Sequence, residues 1–582
     1  MKKIINNPQN VVSEMLLGLA KANPAVVYLG EGVEVIARKE KKAGKVGIIS
    51  GGGSGHEPAH AGYVGKGMLD AAVAGNVFAS PSPDRITAGI KAADAGAGVL
   101  MVIKNYSGDI MNFTTSGEMA AIDGIKTDYV VVKDDVAVED STYSTGRRGI
   151  AGTVFVHKIA GAAAESGKSL PEVKAAAEKC IANIRSMGMA MSSCILPGVG
   201  TPGFTLGEQE VEIGMGIHGE PGISRETISP AKDLAEKLLG KIFADTDIYN
   251  GSEVAVMING LGGTPLMELY ILNNEVQQIL EAKGIKCYKT FVGNFMTALE
   301  MAGCSITLLK LDDELEALLN EPCVTAGFHV DGPVEDSQYV PLLADLAELP
   351  ACWDIETPAE YANVVDGIDV KNMMYIVDAM CESSIRNEVP FCELDSHAGD
   401  GDFGMSIAKG FRQVKREWQD LIKNTTISSF LHSVSMVIMQ YCGGASGPIW
   451  GSAFRAAAQS TEGKDKLSVA DFAEMMQAAV KGIQATGERS FGRGAVVGDK
   501  TLIDAVVPCA DAWSDCAAKG MSLKEAFEIG KDAAMAGAKA TEKIAARMGR
   551  AGTVGDRSIG YADAGAYDVA VIFGDVNDKL NF

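Results

Sequence analysis

Four short runs of β-forming apolar residues, KVGIIS (45–50), DAAVAG (70–75), GVLMVIK (98–104) and DYVVVKD (128–134), alternate with stretches of helical spacing such as PDRITAGIKAADAG and FTTSGEMAAIDG. Short unbroken apolar runs between turn residues mark buried strands, and apolar residues recurring every three or four positions mark helices. Their alternation predicts a parallel sheet covered by helices, with a ligand crevice outside the C-terminal ends of the strands. A long helix is predicted over SLPEVKAAAEKCIANIRSMG (169–188), and a second α/β unit from about residue 190, whose strand EVAVMING (253–260) runs into GLGGTPLMEL. Residues 333–367 carry four prolines, several acids and no period, which reads as a linker. Beyond it the strand signal nearly vanishes. IDVKNMMYIVDAMCESSIRNE, ISSFLHSVSMVIMQYC, VADFAEMMQAAVKGIQATG, TLIDAVVPCADAWSDCAAKG and LKEAFEIGKDAAMAGAKATEKIAARMG predict an all-helical C-terminal domain whose loops hold the unusual residues.

The 582 residues exceed what one core organises, so several domains are expected. A formal net charge of −23 argues against a nucleic-acid or anionic-membrane binder, since both need a basic face. The 11 cysteines never fall as C-x-x-C, which fits reduced thiols rather than zinc or a redox pair. The start MKKIINNPQN lacks the apolar core of a signal peptide, and no apolar run reaches the length of a membrane span. A cytoplasmic protein is expected.

Several loops carry chemistry. In SGGGSGHEPAHAGYVG, a glycine run follows the strand ending at Ser50 and leads to His56, so exposed N–H groups are expected to cradle an oxygen-rich ligand beside a proton carrier. The spacing is neither the dinucleotide fingerprint nor a Walker loop. VIKNYSGDIMNF sets Lys104 and Asp109 after a strand end, where the alternative is a helix-capping acid in a solvated loop. MGIHGEPG (215–222) strips side chains away around His218, which opens that histidine to a ligand unless it only satisfies a neighbouring carbonyl. In ELDSHAGDGDFG, Asp395, Asp400 and Asp402 repel one another unless a hard cation lies between them; the alternative is surface acids at a helix end. An EF-hand is excluded, because the positions for its ligands hold Gly404 and Phe411. YCGGASGPIWGSAF opens a helix with Gly443, Gly444, Ser446 and Gly447, the makings of a phosphate site. Chelated Mg2+ and a phosphate turn together are the minimum equipment for nucleotide phosphoryl transfer.

GGGSGHEPAHAGYVGKGMLDAAVAGNVFASPS, KNYSGDIMNF, MGIHGEPG and NGLGGTPLMEL resemble the substrate domain of dihydroxyacetone kinases, and GDGDFG, GGASGP, GDKTLIDA and the DAG before AYDVAVIF resemble their helical nucleotide domain. The resemblance covers nearly the whole chain outside the linker. It implies an α/β dihydroxyacetone-binding domain of two subdomains (1–332), a linker (333–367) and an antiparallel helical barrel that binds ATP (368–582). It implies that His218 bonds the ketone carbon as a hemiaminal, with His56 and Asp109 as acid and base. Gly53, Ser54, Gly55 and Lys104 are implied to hold substrate. Mg2+ falls to Asp395, Asp400 and Asp402. ATP falls to Phe403, Gly404, Met405, Ala445, Ser446, Gly492, Lys500, Thr501, Asp563, Ala564 and Gly565. Fusion of both domains resembles the members that exchange ATP freely rather than those recharged by a phosphotransferase chain, and implies a homodimer. ADAG stands where the family carries DPG, and no role is implied for His397 or Arg550. A kinase for another short ketose such as erythrulose, a side activity that splits FAD, and a carbonyl-binding regulator are the competing readings.

Overall fold

The computed structural model describes residues 2–138, 146–334 and 357–582, so most of the expected linker, residues 335–356, lies outside the described residues. The chain divides into two compact units, Met1–Tyr339 and Val340–Phe582.

The first unit holds two six-stranded sheets. One is built from β1 (Val26–Tyr28), β2 (Val35–Arg38), β3 (Gly47–Ser54), β4 (Ala71–Val77), β5 (Val99–Lys104) and β6 (Thr127–Val132), in the order β1-β2-β4-β3-β5-β6. Four of these strands are parallel, but β1 and β2 form an antiparallel edge, which corrects the purely parallel expectation. Residues 29–34 are too few for a crossover, so only a hairpin can join that pair. Helices α1 (Val11–Ala22), α2 (Pro83–Ala93), α3 (Ser107–Ile122), α4 (Thr153–Glu165) and α5 (Leu170–Asn183) surround this sheet. α4 is buried on every side up to Ala164, and its two buried basic side chains find partners, Lys158 on the Leu318 carbonyl at 2.6 Å and His157 on His60 at 3.0 Å.

The second sheet comprises β7 (Ile184–Ala190), β8 (Glu210–Ile213), β9 (Ser224–Thr227), β10 (Glu253–Gly260), β11 (Lys286–Gly293) and β12 (Gly303–Lys310), ordered β11-β10-β12-β7-β8-β9. Only β10 and β11 run parallel, joined through α7 (Leu266–Ala282); α6 (Ala231–Ala244) packs beside α7, and α8 (Asp313–Asn320) follows the sheet. The long helix expected over 169–188 ends at Asn183, and its last residues belong to β7. No glycine or proline separates the two, and pairing with β12 on one side and β8 on the other overrides the local helical spacing.

The second unit is all-helical. α9 (Val370–Arg386), α10 (Glu388–Asp395), α11 (Phe403–Arg416), the short α12 (Trp418–Leu421), α13 (Ile427–Tyr441), α14 (Ser446–Ser460), α15 (Val469–Phe491), α16 (Ile503–Ala518), α17 (Leu523–Ala540) and α18 (Ala564–Lys579) make it up. Eight of them close a ring: α9, α11, α13, α14, α15, α16, α17 and α18 each pack on the next, and α18 returns to α9. Met373, Val377, Leu431, Phe454, Met476 and Val569 meet inside it. The helix expected to reach residue 549 stops at Ala540. There Thr541 turns its hydroxyl to the Ala538 carbonyl at 2.5 Å and accepts the Asp563 N–H at 2.8 Å. Residues 357–367 lie on this unit, with the Thr357 hydroxyl donating to Asp378 at 2.5 Å and the Val364 N–H to the Asn581 carbonyl at 2.8 Å. Among the described residues no helix is long and apolar enough to cross a membrane.

Glycines set the closest helix approaches. A Cβ at Gly537 would run into the Asp504 carbonyl across the α16–α17 contact. Gly537→Ala should lower the unfolding free energy of the helical unit by about 1–3 kcal/mol, read as a shift in its urea midpoint with the slope unchanged.

Candidate active site

The glycine run that reads as a loop is strand: β3 continues through Gly51, Gly52 and Gly53 to Ser54, paired with β4. Glycine is needed because neighbours crowd the backbone. A Cβ at Gly52 would lie 2.9 Å from Lys104 Nζ, and one at Gly53 2.7 Å from Phe78 Cα. The Ser54 hydroxyl donates to the Gly75 carbonyl at 2.8 Å. Gly55 takes a positive φ of 102°, and its N–H donates to both oxygens of Glu57 at 3.1 Å.

His56 follows, fully buried. Its Nδ1 lies 2.7 Å from the Thr297 carbonyl oxygen, its Nε2 3.1 Å from His218 Nε2, and its ring stacks on Phe78 at 5.1 Å. Burial first, then the charges of His218 and Lys104, hold His56 well below the ordinary histidine value, so it rests neutral. His60 Nδ1 meets His157 Nε2 at 3.0 Å; burial and Lys104 press His157 down to about 3.

His218 sits in the loop between β8 and β9. The Glu220 carboxylate reaches back to it twice, accepting the His218 N–H at 2.9 Å and lying 2.9 Å from Nδ1. Gly216 makes room for this: a Cβ there would strike the Glu220 carboxylate and come within 2.6 Å of the Arg148 guanidinium. The edges of His56, Tyr106 and Phe78 close around the ring at centroid distances of 4.7, 4.7 and 5.3 Å. Burial alone raises the Glu220 carboxyl. The hydrogen bonds from His218 and the charge on its ring outweigh burial and pull it down to about 2.

Lys104 ends β5 and Asp109 lies in the first turn of α3, both buried. The Lys104 ammonium is 3.5 Å from Asp109 Oδ2 and 5.0 Å from the Tyr106 ring centre, while the Ser80 hydroxyl donates to Asp109 Oδ1. Gly53, Gly55, His56, Lys104, Asp109 and His218 therefore meet at one place.

The helical unit gathers a second constellation at the end of its ring. Asp395 closes α10, Asp402 precedes α11, and ligand oxygens of Asp395, Asp400 and Asp402 lie within 4.8 Å of one another. Gly401, at φ 76°, donates its N–H to Asp395 Oδ2 at 2.9 Å. Phe403, Gly404 and Met405 open α11; Gly404 presses on the Glu388 carbonyl and Met405 is exposed. The Gly443 N–H donates to the Ser406 carbonyl at 3.2 Å, which sets the turn through Ala445 to Ser446 on the first turn of α11. Gly492 caps α15 at φ 73°, and the loop beyond it is tied by Arg493 to Asp499 at 2.5 and 2.9 Å. The Thr501 N–H donates to Asp504 at 2.8 Å.

Lys500 points its side chain into the protein. Its buried ammonium donates to the carbonyls of Ile544, Ser558 and Tyr561 at 3.2, 2.5 and 2.8 Å. Asp563 caps α18 through the Ala566 N–H at 2.8 Å. Burial, aided by the negative charges of Asp504 and Asp395, pushes its carboxyl up to about 7. Ala564 is buried, and Gly565 lies against Leu502. His397 stacks on Tyr561 with ring centres 3.8 Å apart. Three hard carboxylate oxygens on a glycine-rich turn, beside a helix N-terminus, suit Mg2+ and leave room for phosphate.

Both halves match known modules. Residues 17–327 match the Dak1 domain and residues 397–578 the DAK2 domain. The dihydroxyacetone-binding subunit DhaK of the PTS-dependent dihydroxyacetone kinase 1 of Listeria innocua is 57% identical over 314 residues, 54% of this chain and 95% of that one. The D-erythrulose kinase of Mycolicibacterium smegmatis is 34% identical over 587 residues, 98% of this chain and 97% of the other. The crystal structure of the dihydroxyacetone kinase of C. freundii in complex with AMP-PNP and Mg2+ covers 99% of both chains at 29% identity with a TM-score of 0.60. Fold and modules define a kinase built from an α/β unit and a helical ring. The chain belongs to the dihydroxyacetone kinase family.

Glu220, Phe78, Tyr106 and Ser80 escape the sequence reading. Glu220 had a legible signal, since a carboxylate two residues beyond a histidine in a tight turn can reach both its ring and its backbone N–H. Because its folded value is depressed, its stabilisation is present above the ordinary glutamate range and is lost as pH falls toward 2. Glu220→Gln should flatten the acid limb of the pH–stability curve in that window, measured by denaturant titration at successive pH values.

Proposed function

We propose that this chain transfers the terminal phosphate of ATP to a hydroxyl of a short ketose, dihydroxyacetone foremost, held covalently on His218. The observation that carries this reading is the His218–His56 pair, in which one imidazole nitrogen is pinned by a carboxylate while the other faces a neutral base. An imidazole held so adds Nε2 to a carbonyl once His56 has taken the proton between the two rings, and glycerol, lacking a carbonyl, is refused. Lys104, Asp109 and the β3 backbone would take the ketose hydroxyls, and Asp109 or His56 the proton from the attacking one. Asp395, Asp400 and Asp402 would hold Mg2+, which supplies charge neutralisation of the phosphates. Ser446 and the turn before it offer N–H and hydroxyl donors to the same phosphates.

Dihydroxyacetone is placed first because a dihydroxyacetone-binding subunit is 57% identical over 314 residues; erythrulose is the alternative, since a D-erythrulose kinase is 34% identical over 587 residues spanning both units. Turnover with Mg·ATP should be highest on dihydroxyacetone, lower on erythrulose and absent on glycerol; a maximum on erythrulose would transfer the assignment to that ketose. His218→Ala should lose ketone binding and keep Mg·ATP binding, whereas Asp400→Ala should lose phosphoryl transfer and keep ketone capture. The proposed homodimer pairs the nucleotide domain of one subunit with the ketose site of the other. Mixing the two inactive variants should then restore turnover, and silence of the mixture excludes that pairing.

A further inference from the structure

The 3.1 Å contact between two Nε2 atoms fixes where the protons lie. His56 Nδ1 faces the Thr297 carbonyl oxygen and His218 Nδ1 faces the Glu220 carboxylate. Both partners only accept, so both Nδ1 atoms carry a proton. Each Nε2 then presents a lone pair, and two lone pairs at this distance repel unless one proton lies between them. Four ring nitrogens therefore share three protons, and the pair carries one positive charge opposite the one negative charge of Glu220. Arg148, the other charge near this carboxylate, is engaged elsewhere, by Asp135 and by the Gly214 carbonyl, each at 2.7 Å.

We propose that Glu220 is a positioning residue for ketone capture: it holds the His218 proton on Nδ1, so that the proton between the two rings is the one delivered to the ketone oxygen. This rests on the reading that His218 captures a ketone. In the capture step the shared proton passes wholly to His56 Nε2, which frees the lone pair on His218 Nε2. That pair forms the bond to the carbonyl carbon, the π pair of the C=O bond moves to oxygen, and His56 gives its Nε2 proton to that oxygen. His56 returns to neutral and the ketone oxygen becomes a hydroxyl. The His218 ring, now bonded to carbon through Nε2 with Nδ1–H retained, keeps the positive charge opposite Glu220. Atoms and charge balance with no further reactant, and the charge never leaves its counter-ion.

Glu220→Gln separates this role from bracing of the turn. The amide oxygen still accepts the His218 backbone N–H, but the NH2 group then faces Nδ1 and donates to it, so the ring proton moves to Nε2 and the nucleophilic lone pair is lost. The test uses the full chain with 15N-labelled histidine, reading the tautomer from two-bond proton–nitrogen correlations and the adduct from [2-13C]dihydroxyacetone. Glu220→Gln should move the His218 proton to Nε2, lower adduct formation and kcat/KM for the ketone by about 100-fold or more, and leave KM for ATP unchanged. Glu220→Asp, which keeps an acceptor, should recover part of the loss. Should the glutamine variant not fold, Gly216→Ala pushes the same carboxylate aside without changing any charge and should likewise lower the adduct. A wild-type tautomer and adduct level in Glu220→Gln, with no adduct in His218→Ala, would overturn the role of Glu220 and leave the kinase reading standing. An adduct surviving in His218→Ala would overturn both.

Discussion

Three successive glycines in β3 let other elements come up against its bare backbone, and the first unit is organised around that crowding. Lys104 takes the space beside Gly52, and the Phe78 backbone presses on Gly53. Phe78, at a φ of 58°, is bent into a conformation that non-glycine residues rarely adopt, and its ring becomes the plate on which His56 stacks. A fully buried ammonium is costly unless opposed. Lys104 has Asp109 at 3.5 Å and the Tyr106 ring face at 5.0 Å, and its charge adds to the burial that holds His56, His60 and His157 well below the ordinary histidine value. A methyl group at Gly52 would displace the ammonium and with it the electrostatics of every histidine in that interior.

The helical unit solves a different problem. Its stability lies in the apolar interior of the ring, and consecutive antiparallel helices bring four connections to one end. Polar groups there hold those connections together without the help of the core: Gly443 on Ser406, Thr501 on Asp504, Asp563 on Thr541, His397 on Tyr561. The carboxylates are left crowded, since Asp563 feels both Asp504 and Asp395. Such an arrangement favours a divalent cation, which relieves repulsion that the fold itself does not.

Much of this was legible in the sequence. The strand–helix alternation located β3 to β6, and the helical spacings located α9, α13, α15 and α16, because one-sided or complete burial leaves a period in the residues themselves. What failed did so for identifiable reasons. β7 continues directly from α5 without a breaker, and only its partners β8 and β12 make it a strand. Glycine in β3 reads locally as a turn, although its cause is the approach of Lys104 and Phe78 from distant positions. Lys500 sits in a motif that resembles part of a nucleotide pocket, and the direction of its ammonium is set by carbonyls 44 to 61 residues away. Side-chain direction is set by tertiary neighbours, which a linear reading does not contain. Around His218 the glycines were visible, but not that Gly216 is bare to make room for the Glu220 carboxylate.

The Lys500 ammonium, its three N–H bonds met by three backbone carbonyls, acts as a monovalent cation held among carbonyl oxygens but tethered to the chain. Its local concentration is fixed by the four-carbon stem, so the cage stays filled whatever the monovalent salt around it. The aspartate cluster nearby follows the opposite rule, since a free divalent ion fills it only as mass action allows. Side by side, one end of the ring thus combines a cation that synthesis supplies once with a cation site that answers to the surrounding medium.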